Sequence, residues 1–145
     1  MTGLATFDST LQKTNEWLKD IMDEMGTADR NRAFLALRAV LHMLRDRLTV
    51  EEAAEFAAQL PMLIKGVYYE GWKPASVPNK ARHKDEFLAT ILDYFTNEPD
   101  VDPEQITRAV FSVFEKRITS GEITDIRRMF PKELRDLWPA PTPSV

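Results

Sequence analysis

Much of this chain is one sequence written twice. Displaced by 70 positions, residues 16–68 fall on residues 86–138 without a gap, and 11 of the 53 paired positions are identical. Segments of ordinary composition would match by chance at about three or four. The shared residues are Glu16, Leu18, Ile21, Asp23, Arg38, Ala39, Val40, Arg47, Thr49, Glu52 and Pro61, each repeated 70 positions later. Elsewhere apolar character persists: Trp17 meets Phe87, Met25 meets Phe95, Leu44 meets Phe114, and Leu60 meets Phe130. A repeat constrains architecture before any local reading does. Two copies are too few to stack as a solenoid. The expectation is therefore one shared core, with the copies related by a pseudo-two-fold.

Each copy reads as four helices. Leu11, Leu18, Ile21 and Met25 form one helical stripe, with Asp8 as its N-cap and Gly26 as its stop. Phe34, Leu37, Leu41, Leu44 and Leu48 form the next. Thr49-Val50-Glu51-Glu52 has capping-box spacing, and Thr119-Ser120-Gly121-Glu122 repeats it. Asp102-Pro103-Glu104-Gln105 supplies an N-cap, a first-turn proline and an N3 glutamine. Pro61 and Pro131 open the last helix of each copy. No sustained alternation of apolar and polar residues predicts a strand. The fold expected is all-α, a bundle of about eight helices in two tandem, quasi-equivalent four-helix repeats. As a single compact domain over 1–145, it would comprise repeat one at about 10–72, a linker at 73–82, repeat two at about 83–138 and a proline-rich extended tail at 139–145.

Composition narrows the chemistry. With 145 residues the chain closes a respectable core only if its halves pack together, since half that length is marginal alone. Formal net charge is -4, which gives no global electrostatic case for nucleic acid or an anionic membrane. Cysteine is absent, so disulfides, thiolate metal sites and cysteine nucleophiles are excluded together. The first residues show no basic stretch before an apolar run, and no apolar run is long enough to span a bilayer. A cytoplasmic protein is the expectation.

The string Leu60-Pro61-Met62-Leu63-Ile64-Lys65-Gly66-Val67-Tyr68-Tyr69-Glu70-Gly71-Trp72 is not generic helix sequence. Neither is Arg108-Ala109-Val110 through Arg117-Ile118-Thr119-Ser120-Gly121-Glu122 to Phe130-Pro131-Lys132-Glu133-Leu134. Together they resemble the bacterial domain-of-unknown-function family numbered 2267, from about Asn15 to Trp138. The resemblance implies a small helical prokaryotic protein. It brings no catalytic, cofactor-binding or metal-binding residue with it.

The residues themselves offer no catalytic constellation. His42 lies inside a helix where the other copy has Ser112, and reads as a partly buried structural histidine; His83 lies in the linker. Asp20, Asp23 and Glu24 read as a solvated face rather than a magnesium site. The D-x-D at Asp100 and Asp102 lacks the glycine and distant glutamate of a calcium loop. No serine has a base or a strained turn beside it. Catalytic, metal and cofactor residues are thus expected to be none, and the chain is not expected to be an enzyme. The repeated polar residues read as structural. Arg47 and Arg117 suit helix C-termini, within reach of Glu52 and Glu122, while Arg38 and Arg108 suit pairing with Asp23 and Asp93. DNA reading is disfavoured because Arg127-Arg128 has Ala57-Ala58 as its counterpart, beside Glu51, Glu52 and Glu55.

Tyr68, Tyr69, Trp72 and Lys73 remain as a candidate interaction patch, or as rings packed between the copies. The functional expectation is non-catalytic protein–protein interaction, with another protein or a second copy. The alternative is a small ligand held in a groove between the repeats, lined in part by some of the six methionines.

Overall fold

The computed structural model describes residues 2–79, 83–98 and 100–140. Lys80, Ala81 and Arg82 of the linker, Pro99, and residues 141–145 of the expected tail lie outside the described residues. Among the described residues the chain forms eight α-helices and no strand. They are α1 (Ala5–Met25), α2 (Arg30–Asp46), α3 (Val50–Ala57), α4 (Met62–Tyr69), α5 (Lys84–Asp93), α6 (Pro103–Arg117), α7 (Ser120–Met129) and α8 (Lys132–Arg135). A 3-10 turn, Pro74–Ser76, follows α4.

Local chemistry sets the boundaries. Gly26, at φ 69, ends α1 in the left-handed region that only glycine enters without strain. Its N–H and that of Thr27 return to the carbonyls of Asp23 and Met22. Asp29 starts α2 by accepting from the amides of Asn31 and Arg32, and Asp102 starts α6 by accepting from those of Glu104 and Gln105. At α3 both arms of the capping box form: Glu52 N donates to Thr49 Oγ1 at 3.2 Å, and Thr49 N donates to Glu52 Oε1 at 3.3 Å. Asp8 is not an N-cap. Helix α1 begins a turn earlier, after Leu4, and Asp8 instead accepts from the amide and hydroxyl of Thr2 at 2.9 and 2.8 Å. Those bonds hold its carboxyl below the usual range.

Helix α2 is the axis of the bundle. Ten of its seventeen residues are buried, from Ala33 to Arg45. It packs on α1, α4, α5 and α6, and α1 also packs along α6. Aromatic rings tie the halves together. Phe114 of α6 lies 6.1 Å from Trp17 and 5.5 Å from Phe56, while Trp138 stacks on Phe111 at 3.9 Å and 7°. Helices α3 and α7 start 70 residues apart, as do α4 and α8. Helix α1 is much the longer of its pair, 21 residues against 10 in α5.

Removing the Phe114 ring leaves a cavity touching both halves. Phe114→Ala is expected to lower unfolding free energy by about 3–5 kcal/mol. Met129→Ala, at an exposed position, should stay within about 0.5 kcal/mol of the parent. Urea unfolding of the two variants checks the contrast.

Candidate functional site

Two features stand apart from ordinary packing. The first is the beginning of α1. Leu4, Phe7, Leu11, Thr14, Leu18, Ile21 and Met25 follow the alternating three-and-four spacing of a helical seam. Leu18 and Ile21 are buried in the core. Towards the N-terminus the seam continues but its cover does not: Leu11 is half-buried, Phe7 is 47% exposed and Leu4 56%. Beside it, Leu63 N at the start of α4 donates to Thr10 Oγ1 at 3.0 Å, filling one of the helix's unpaired first amides. Met62 and Leu63 are themselves 53% and 40% exposed. An open groove of ≈ 410 Å³ runs between the two helix starts, with Ala5, Ser9, Thr10, Lys13 and Met62 along it, on a different face of α1 from Leu4, Phe7 and Leu11. Lone exposed apolar residues are ordinary; Leu4 and Phe7 differ in continuing a stripe that is buried further along the same helix.

The second feature is a polar line on the buried helix α2. Arg38, His42 and Arg45 are spaced i, i+4, i+7, so they share one face. That face meets the C-terminal end of α4, whose last carbonyls have no partner within the helix. His42 Nε2 lies 2.8 Å from the Val67 carbonyl, and Nδ1 lies 3.0 Å from Oη of Tyr94, the residue that ends α5. A carbonyl only accepts, so the proton is on Nε2, and Tyr94 donates to Nδ1. Arg45 Nη1 donates to the carbonyls of Tyr68 and Glu70 at 2.7 and 2.6 Å. Its Nε donates to Asp46 Oδ1 at 3.0 Å. Arg38 pairs with Glu70 at 2.9 Å, and its guanidinium lies 5.7 Å from the centre of the Tyr94 ring. Together these side chains cap α4 from outside, with cations at the negative end of its dipole. Burial pushes the pKa of His42 down, and Arg45 and Arg38 push the same way, against the Val67 bond and Asp46.

Several expected pairings are corrected. Arg38 pairs with Glu70 rather than Asp23, and Arg108 pairs with Glu104 at 3.7 Å and donates to the Asp136 carbonyl, rather than pairing with Asp93. Asp23 and Asp93 are exposed. Arg47 does cap the end of α2 and donates to the Met43 carbonyl at 3.2 Å, but it stacks 4.8 Å from the Phe87 ring instead of reaching Glu52. Burial lowers its pKa, opposed by Asp46 and Glu86. Arg117 ends α6 and turns to Asp20 of α1 at 2.8 Å and Glu16 at 3.8 Å, not to Glu122. The second capping box is only half formed. Glu122 N donates to Thr119 Oγ1, while the Thr119 amide goes to Gln59 Oε1 of the other half. Glu122 sits instead among Glu55, Asp125 and Glu52, and burial first, then those charges, raises its pKa.

The aromatic patch also divides. Tyr68 has no exposure; its ring stacks on Phe56 and its hydroxyl donates to the Ala53 carbonyl at 2.9 Å. It is core rather than surface. Tyr69 and Trp72 are half-buried and pack 5.3 Å apart against the core, leaving Lys73 exposed. His42 and Arg45 escaped the sequence reading as a unit, although their spacing was visible. Their partners are backbone carbonyls, which no residue type announces.

The fold defines a small all-α protein whose buried polar groups hold helix ends together. Residues 14–137 match the family described as Uncharacterized conserved protein (DUF2267), and the chain belongs to that family. None of the curated proteins compared with the chain matches it. No helix among the described residues is long and apolar enough to cross a membrane.

The His42 network makes a pH prediction. The folded state disfavours the imidazolium, whereas the unfolded chain takes up the proton near the ordinary value of 6.5. Stability should therefore be level above that pH and fall as pH drops below it. His42→Gln keeps a donor near Val67 but cannot titrate. Urea unfolding at about pH 7.5 and about pH 5.5 should show a smaller loss in His42→Gln than in the parent. Equal losses would remove His42 as the source.

Proposed function

We propose that the protein acts by protein–protein interaction, without catalysis, and that the uncovered seam at the start of α1 is its binding face. The observation that carries this reading is the continuity of the seam. The stripe serves the core at Leu18 and Ile21, passes Thr14 and the half-buried Leu11, and ends at Phe7 and Leu4 without cover. An apolar helix face is matched by another such face, and a second copy of α1 supplies one. Antiparallel pairing about a two-fold places Phe7 of each copy against Leu11 of the other. Charge does not oppose it: from Thr2 to Asn15 the only charged residues are Asp8 and Lys13, which cancel, although the chain as a whole carries -4.

Other sequence-based expectations rest on less. Quasi-equivalence of the two halves is supported by the matching starts of α3 with α7 and α4 with α8. A bacterial setting is supported by the family resemblance, and the lack of cysteine is compatible with a cytoplasmic one. A ligand groove between the halves has less support, because Trp17, Phe56 and Phe114 fill that space with buried rings. The non-catalytic reading draws on His42, whose two nitrogens are both engaged in holding α4 and α5.

Sedimentation velocity across a concentration series tests the proposal. The parent should move towards a dimer by about 100 μM, as a small apolar interface implies. Phe7→Asp should remain a monomer with unchanged helicity, since Phe7 contributes little to the core. A parent that is monomeric throughout, or a variant that dimerises equally well, contradicts it.

A further inference from the structure

A cleft of ≈ 280 Å³ opens where the end of α2 meets the segment after α4. Arg45 and Asp46 form its floor, and Gly71, Lys73, Ser76 and Asn79 form its walls. The segment is held to α2 by Asn79 N, which donates to the Asp46 carbonyl at 2.6 Å; within the segment, Ser76 N donates to the Lys73 carbonyl at 2.9 Å.

The Arg45 side chain is only 6% exposed. A guanidinium has five N–H donors. Three are engaged, Nε with Asp46 and Nη1 with the carbonyls of Tyr68 and Glu70. The remaining two are on Nη2, and among the described residues they meet no acceptor. Nη2 is also the atom that Gly71 faces. A Cβ at Gly71 would lie 4.0 Å from it, so a longer side chain would lie over Nη2, and glycine leaves it open. At φ 75 this position favours glycine on backbone grounds as well. A buried cation with two unengaged donors facing a walled cleft is a feature that helix capping alone does not require.

We propose that this cleft binds a phosphate-class oxyanion, free or as the monoester of a small molecule, through Arg45 Nη2, the Lys73 ammonium and the Ser76 hydroxyl. Asp46 neutralises Arg45 and fixes its orientation, so Lys73 leaves the cleft with one net positive charge. A planar carboxylate is the poorer match. It prefers two parallel N–H bonds along one edge of the guanidinium, and both edges that include Nη2 already hold a partner on their other nitrogen. A tetrahedral group can instead take single donors from three directions. The cleft lies just below the usual size range for small-molecule sites, which suits a phosphate with a short organic group. This site is separate from the α1 seam and stands whether or not the protein dimerises.

The test is an amide-resolved NMR titration of the whole chain with inorganic phosphate, against sodium chloride at matched ionic strength. Saturable shifts are expected at Gly71, Lys73 and Ser76, with a dissociation constant of about 1 mM or tighter. Lys73→Gln, an exposed change that spares Arg45, should weaken binding by about fivefold. Glycerol phosphate binding more tightly than phosphate identifies a monoester as the ligand, and equal binding identifies the free ion. Shifts that chloride reproduces, that fail to saturate, or that are unaltered in Lys73→Gln overturn the proposal.

Discussion

The Phe114 ring is the point on which the rest of the structure depends. It is fully buried and lies within reach of Trp17 from α1, Phe56 from α3, Phe111 from its own helix and Trp138 beyond α8. Neither half of the chain is large enough to bury its own apolar faces well. Burying them means crossing from one half to the other, and α6 is the crossing. Helix α1 runs along it, and α2 packs beside it. Acidic Asp20, Glu16 and Glu24 on α1 then meet Arg117 and Lys116 at the end of α6, outside this apolar contact. Those pairs are partly exposed and add little energy, but they fix which way round the helices lie.

A second constraint follows from how α4 ends. It has eight residues, too few to be stable alone, and its last carbonyls face the bundle. His42 and Arg45 answer them from α2. The other half has Ser112 and Glu115 at these positions, and there α8 is only four residues long. A helix end leaves carbonyls without a partner whatever its length, and at α8 the answer comes from Arg108, which donates to the Asp136 carbonyl just past the helix.

Much of the helix plan was readable in the residues. Gly26, Thr49 with Glu52, and Asp102 are local signals whose outcome depends on neighbours within three or four residues, and all act as their spacing implies. What the sequence left hidden is long-range. Arg38 and Arg108 repeat together with Asp23 and Asp93, which suggests pairing, yet each arginine meets an acid or carbonyl outside the repeated set. Tyr68 looked like one member of an exposed aromatic cluster, and only its packing on Phe56 shows it to be core. At the start of α1 a local signal misled. Asp8 suits an N-cap, but its bonds to Thr2 stabilise a helix that begins at Ala5, which brings Phe7 onto the helical seam.

That extension of the seam is the face we propose the protein binds with. Hydrogen exchange measured by mass spectrometry on dilute and concentrated samples reads it most directly. If the seam pairs with a second copy, amides from Leu4 to Thr14 gain protection as concentration rises, while those of α5 and α7 do not change. Exchange in that segment that is the same at both concentrations would contradict the account.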